Sequence, residues 1–143
     1  MGQKTFSLGA EPSAANLVKL SGNFLIASAI EALGEAIALV GKAGIDKEAF
    51  AALIASSIFP APAYAIYGDL IAKAKFQPAG FAAPLGLKDV RLVLAAAEKL
   101  QVPMPLGGLL HDRFLRLLNE GGEALDWSAI GGLAAQDAGK PSR

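Results

Sequence analysis

The stretch from Glu11 to Lys42, EPSAANLVKLSGNFLIASAIEALGEAIALVGK, constrains the fold of this chain more than any other. Pro12-Ser13 is a helix-start pair, and Lys42-Ala43-Gly44 puts a cation and then a glycine at the far end. One helix of about 30 residues, about 45 Å long, is predicted between them. Leu17, Val18, Leu20, Phe24, Leu25, Ile26, Ile30, Leu33, Ile37, Leu39 and Val40 cover most of its circumference, so it is expected to be buried on nearly all sides. Against that background Asn16, Lys19 and Asn23 stand out. Their i, i+3, i+7 spacing projects all three from one face.

The remainder reads as shorter helices separated by proline and glycine. Asp46 is placed to cap a second helix reaching Ile58, which Pro60 and Pro62 end. A third helix is predicted over Tyr64–Lys75, then a loop over Phe76–Gly86 and a fourth helix over Leu87–Leu100. Pro103 and Pro105 precede a fifth, Leu106–Asn119, closed by Gly121-Gly122. A last short helix is expected to begin at Asp126 or Ser128, with a polar, frayed tail from Gln136. Thr5–Leu8 is the one strand candidate, too short to make a sheet alone. The fold class is therefore all-α: about six helices built round one long buried helix.

Composition narrows the functional classes. The chain is 53% hydrophobic and 18% charged, more apolar surface than one small domain covers, so a homodimer or higher homo-oligomer is expected. Zero net charge argues against nucleic acid as a partner. The absence of cysteine excludes thiolate chemistry. No membrane span is expected, since the longest uncharged run, Ala49–Gly68, is divided by Pro60 and Pro62. No apolar run opens the sequence, and Phe6 occupies the position where a myristoylation signal needs Ser or Thr, so the expected location is cytoplasmic.

Four segments in order, N-L-V-K-L-S-G-N-F-L (16–25), E-A-L-G-E-A (31–36), G-L-K-D-V-R-L (86–92) and L-D-W-S-A-I (125–130), resemble the C-terminal domain of the β-hydroxyacid dehydrogenases, 3-hydroxyisobutyrate dehydrogenase type. The likeness runs from about Thr5 to Gly139. The 6-phosphogluconate dehydrogenases have a similar C-terminal domain, but a histidine stands in their motif where this chain has Gly22. Imine-reducing relatives usually replace the lysine that is kept here as Lys19. Both departures favour a small hydroxyacid, or the corresponding semialdehyde, as substrate.

The resemblance implies a nucleotide-binding domain before this one. Residues 1–10 would be the remnant of its last strand, and residues 11–143 the helical dehydrogenase domain. No G-x-G-x-x-G occurs in the sequence, so NAD or NADP would be bound mainly by that missing or separate domain, and this chain alone is expected to be inactive. Such a chain would be an excised piece, a split-gene product or a relic.

The resemblance also assigns roles to residues. Lys19 would be the general acid/base at the substrate hydroxyl, where its own chemistry also allows a lysine extending its head out of an apolar helix. Asn23 would orient the substrate; a helix–helix hydrogen bond is the structural alternative. Lys88 would lie near the cofactor, with Asp89 and Phe81 on the substrate side, whereas plain helix-start chemistry and core packing also account for those residues. Glu31 and Glu35 are a carboxylate pair without His or Cys beside them, so no metal site is expected. His111 reads as structural or exposed, and Trp127 as core packing at a helix start. The rival to an enzyme is a non-enzymatic helical oligomerisation module that keeps the motif by descent.

Overall fold

The structure, a computed structural model, describes residues 12–139. The strand expected over Thr5–Leu8 and the boundary expected after residue 10 lie outside the described residues. Six α-helices follow one another: α1 (Pro12–Lys42), α2 (Lys47–Ser56), α3 (Pro62–Ala72), α4 (Ala83–Leu100), α5 (Pro105–Asn119) and α6 (Leu133–Ala138). Two 3-10 segments, Gly122–Ala124 and Trp127–Gly132, link α5 to α6. Helix α1 is the spine. It packs against α3, α4, α6 and the Trp127–Gly132 segment, while α2 pairs with α3 and α5 pairs with α4. The all-α architecture round one long helix is the one expected from the sequence.

The core lies along one side of α1. Ala27, Ile30, Leu33 and Ile37 meet Ile71, Leu87, Val90, Leu110, Phe114, Trp127, Ile130 and Leu133. In length and composition α1 matches a membrane span, yet these central residues are what the other helices bury. Burial on nearly all sides is not met within the single chain: Val18, Leu25 and Leu39 are 50%, 66% and 73% exposed. A domain this small has too few helices to surround α1, so only a stripe of it is covered.

Several boundaries shift for physical reasons. α3 begins at Pro62 and α4 at Ala83, because proline is tolerated in a helix's first turn, where its missing N–H has no intrahelical partner. Pro84 and Gly86 are thus helical, not loop. At Gly86 a Cβ would come within 2.7 Å of the Phe114 ring, so the glycine is there for close α4–α5 packing. Asp46 caps α2 as expected, accepting from the N–H groups of Glu48 and Ala49 at 2.9 and 3.2 Å. The frayed tail expected from Gln136 is instead helical to Ala138. Asp137 binds Arg113 and Arg116 at 3.1 and 2.6 Å, and Lys42 Nζ donates to the Ala138 carbonyl at 2.5 Å.

Candidate functional site

Two helices bring the polar residues of the sequence motifs together. On the first turns of α1, Asn16 and Lys19 are exposed and Asn23, one turn beyond Lys19, is half-buried. Across from them, the second turn of α4 carries Lys88, exposed, and Asp89, half-buried. Asn23 Nδ2 donates to Asp89 Oδ2 at 2.8 Å, joining residues 66 apart in sequence. This bond uses one of the two N–H groups of the Asn23 amide. A Cβ at Gly22 would meet nothing within 4 Å, so α1 borders open space at this level. Lys19 itself is exposed in the single chain, although its neighbour Leu20 is buried.

Phe81 sits on a different set of contacts. Its ring packs edge-on to Trp127, centroids 4.7 Å apart, and Trp127 Nε1 donates to the Tyr67 hydroxyl at 3.0 Å. The loop that carries Phe81 is fastened by Asp126, a carboxylate 5% exposed. One Asp126 oxygen accepts from the Ser128 N–H at 2.9 Å, which caps the 3-10 segment. The other accepts from the N–H groups of Gly80 and Phe81, both at 3.0 Å. Trp127 N in turn donates to the Phe81 carbonyl at 2.7 Å, and Ala83 N to the Leu125 carbonyl at 2.8 Å. The start of α4, and with it Lys88 and Asp89, is therefore set by the L-D-W-S segment. The sequence shows Asp126 as a candidate cap, but nothing in it reveals the grip on a loop 45 residues away.

The carboxylates of the E-A-L-G-E-A segment part company. Glu35 is exposed, while Glu31 is buried and held by Arg113 through two parallel bonds, Nε–Oε1 at 3.1 Å and Nη2–Oε2 at 3.2 Å. Burial pushes the Glu31 carboxyl above the ordinary carboxylate range; Arg113 opposes this and the nearby Glu35 adds to it. Asp137, on the outer side of Arg113, is held below the ordinary range by Arg116 first and Arg113 second. Among the described residues no group of three or more His, Cys, Asp or Glu side chains is arranged to hold a metal ion. His111 lies 3.2 Å from the neighbouring Asp112.

Residues 13–133, which include both joined helices, match the family model described as NAD-binding of NADP-dependent 3-hydroxyisobutyrate dehydrogenase. The chain belongs to this family. The family is one of NAD(P)-dependent hydroxyacid dehydrogenases. Among curated relatives, the uncharacterized oxidoreductase YfjR of Bacillus subtilis is 41% identical over 130 residues, covering 91% of this chain and 45% of the relative. The mitochondrial 3-hydroxyisobutyrate dehydrogenase of Drosophila melanogaster is 30% identical over 118 residues, covering 78% of this chain and 36% of that enzyme. The fold is shared with the crystal structure of a 3-hydroxyisobutyrate dehydrogenase from Salmonella typhimurium, at a TM-score of 0.81 and 24% identity over 90% of this chain and 45% of that one. The chain thus spans less than half the length of the relatives it matches.

Proposed function

We propose that this chain is the helical catalytic and dimerisation part of an NAD(P)-dependent oxidoreductase of the 3-hydroxyisobutyrate dehydrogenase type. Its substrate is a small β-hydroxyacid or the corresponding semialdehyde. The observation that carries the reading is the Asn23–Asp89 hydrogen bond, which joins the Lys-x-x-x-Asn motif of α1 to the Lys-Asp motif of α4. Lys19 is the general acid/base: in oxidation its amine takes the hydroxyl proton as the carbinol carbon gives up hydride, and in reduction its ammonium returns that proton to the forming hydroxyl. Asn23, held by Asp89, orients the substrate hydroxyl or carboxylate beside Lys19. Phe81 forms an apolar side of the substrate pocket.

A nicotinamide dinucleotide, when bound, supplies the hydride acceptor or donor. Lys88 and Arg91, exposed on either side of Asp89 on α4, fit the anionic phosphates of such a cofactor. The glycine turn that cradles a pyrophosphate does not occur in this sequence, so most of the cofactor's contacts belong to a separate nucleotide-binding domain.

The test is to fuse or co-express the chain with a strand–G-x-G-x-x-G–helix domain and follow nicotinamide reduction with 3-hydroxyisobutyrate. Lys19→Met keeps most of the stem and is expected to lower turnover by about two to four powers of ten with little change in melting. Lys88→Met is expected to raise the KM for the nucleotide. Near-normal turnover in Lys19→Met would falsify the assignment.

A further inference from the structure

The C-terminal half of α1 borders a hollow that the candidate site does not use. Gly34 and Gly131 meet there backbone to backbone, so closely that a Cβ on Gly34 would lie 2.3 Å from the Gly131 carbonyl oxygen. Beside that contact a cavity of about 270 Å³ opens between α1, the end of α3, α5 and α6. Glycine and alanine make up more than half of its lining, Ala38, Ala129 and Ala135 among them, so the side chains there are too short to fill it. Ile37, Ile71 and Leu117 make its walls apolar, and the Phe76 ring lies against Gly132 at one side. Gly34 is eleven residues beyond Asn23, about 16 Å along the helix, so the hollow and the motif-bearing site are separate.

Only two polar side chains line this cavity, Lys47 and Gln136. Lys47 is half-buried and Gln136 exposed, which puts both where the hollow meets solvent. The stem of Lys47 lies flat on Gly41: a Cβ there would come within 2.3 Å of its Cε and 3.2 Å of its Cδ and Cγ. The glycine thus lets the lysine lie along α1. Among the described residues no hydrogen bond or ion pair engages the Lys47 ammonium. The adjacent Asp46 is turned to the N–H groups of Glu48 and Ala49. No carboxylate lines the hollow, so its one charge is positive.

A cation and an amide at the mouth of an apolar space fit a molecule with an anionic head and a hydrocarbon tail. A carboxylate suits both groups, since it accepts from the ammonium and from the amide N–H alike. An apolar cavity of about 150 Å³ admits benzene, so one of about 270 Å³ takes a chain of about eight to ten carbons. We infer that the hollow beside Gly34 and Gly131 is a binding site for an unbranched medium-chain carboxylate, its head on Lys47 and Gln136 and its tail against Ile37, Ile71 and Leu117. Ala129 and Gly131 belong to the 3-10 segment that Asp126 caps, so an occupant also braces the element to which the Phe81 loop is fastened.

The full chain is titrated by calorimetry with octanoate, and in parallel with butyrate, hexanoate, octanol and octylammonium. Saturable octanoate binding that raises the melting temperature is expected. Affinity should rise about fourfold for each methylene from butyrate to octanoate. Octanol is expected to bind at least about tenfold more weakly than octanoate, and octylammonium not at all. Lys47→Met keeps the stem on Gly41 and is expected to weaken octanoate at least about tenfold with melting unchanged. Ala135→Leu displaces two or more methylenes of the tail and should weaken it to a similar degree. Lys99→Met, in the apolar hollow near the start of α1, is expected to change nothing. The inference is overturned if octanoate does not bind at millimolar concentration, if octanol or Lys47→Met matches it, or if Lys99→Met abolishes binding. If Ala135→Leu fails to fold, the chain-length series and Lys47→Met decide alone.

Discussion

Asn23 on α1 and Asp89 on α4 share a 2.8 Å hydrogen bond that ties the two motif-bearing helices at the level of Lys19. The pair is half-buried, so its polarity matters. Asn23→Asp sets a second carboxylate against Asp89 and removes the donor. A loss of about 1–3 kcal/mol is expected at pH 7, the cost of an unsatisfied and repelled pair. Most of it is expected to return at pH 4, where one carboxyl gains a proton and donates to the other. Urea denaturation at the two pH values checks this; no loss at pH 7 would show that the bond carries no weight.

The Glu31–Arg113–Asp137 chain predicts a stability profile with opposing limbs. The folded Glu31 carboxyl binds its proton more readily than in the unfolded chain. Its proton-linked stabilisation is therefore complete below the unfolded carboxylate value and is lost as pH rises through the raised folded value. Asp137 has the opposite sign: its contribution is present above the unfolded value and is lost as pH falls through the lowered folded value. Stability is expected to rise on mild acidification and fall on further acidification. Glu31→Gln should flatten the first limb and Asp137→Asn the second, read as melting temperature across pH 3 to 8. An unchanged profile in either variant would show that the named residue does not shape that limb.

Legibility divides along the range of the interactions. The apolar run that makes α1 and the punctuation by Pro60, Pro103 and Gly121 act locally, so the helix count and class could be read directly. The start of α4 could not, because Pro84 and Gly86 look like loop residues until Phe114 is seen against Gly86. Lys19, Asn23, Lys88 and Asp89 were candidates from their motifs, and the Asn23–Asp89 contact brings the two motifs together. The roles of Asp126 and Arg113 depend on partners 45 and 82 residues away, and no spacing rule carries that information. Glu31 had one legible sign, a carboxylate on a helix otherwise expected to be buried.

Asp126 is expected to govern the order of the Phe81 loop. Asp126→Asn is isosteric but keeps one acceptor oxygen where two are in use, so it frees either the Ser128 N–H or the pair from Gly80 and Phe81. A loss of about 1–3 kcal/mol follows from the buried donors left unpaired. Trp127 is the only tryptophan and touches Phe81, so its fluorescence reports on the loop. Acrylamide quenching is expected to increase in the folded variant. Quenching identical to the parent would show that the loop holds without the carboxylate.

Two glycines of α1 are expected to respond in opposite ways to the same added methyl group. At Gly34 a Cβ would overlap the carbonyl oxygen and Cα of Gly131, and these are backbone atoms that cannot rotate aside. The Trp127–Gly132 segment would have to lift from α1, taking Ile130 and its buried neighbours with it. The expected cost of Gly34→Ala is at least about 3 kcal/mol, at the upper end of overpacking losses, because no flexible side chain is there to absorb the shift. Gly22 is one turn from Lys19, and a Cβ there meets nothing within 4 Å. Gly22→Ala removes the conformational freedom that glycine gives the unfolded chain and is expected to stabilise by about 0.5–1 kcal/mol. Both variants belong in one set of chemical melts with an unchanged m-value as control. A neutral Gly34→Ala would mean that α1 and the 3-10 segment are not in backbone contact, and the packing that positions Asp126 would need to be redrawn.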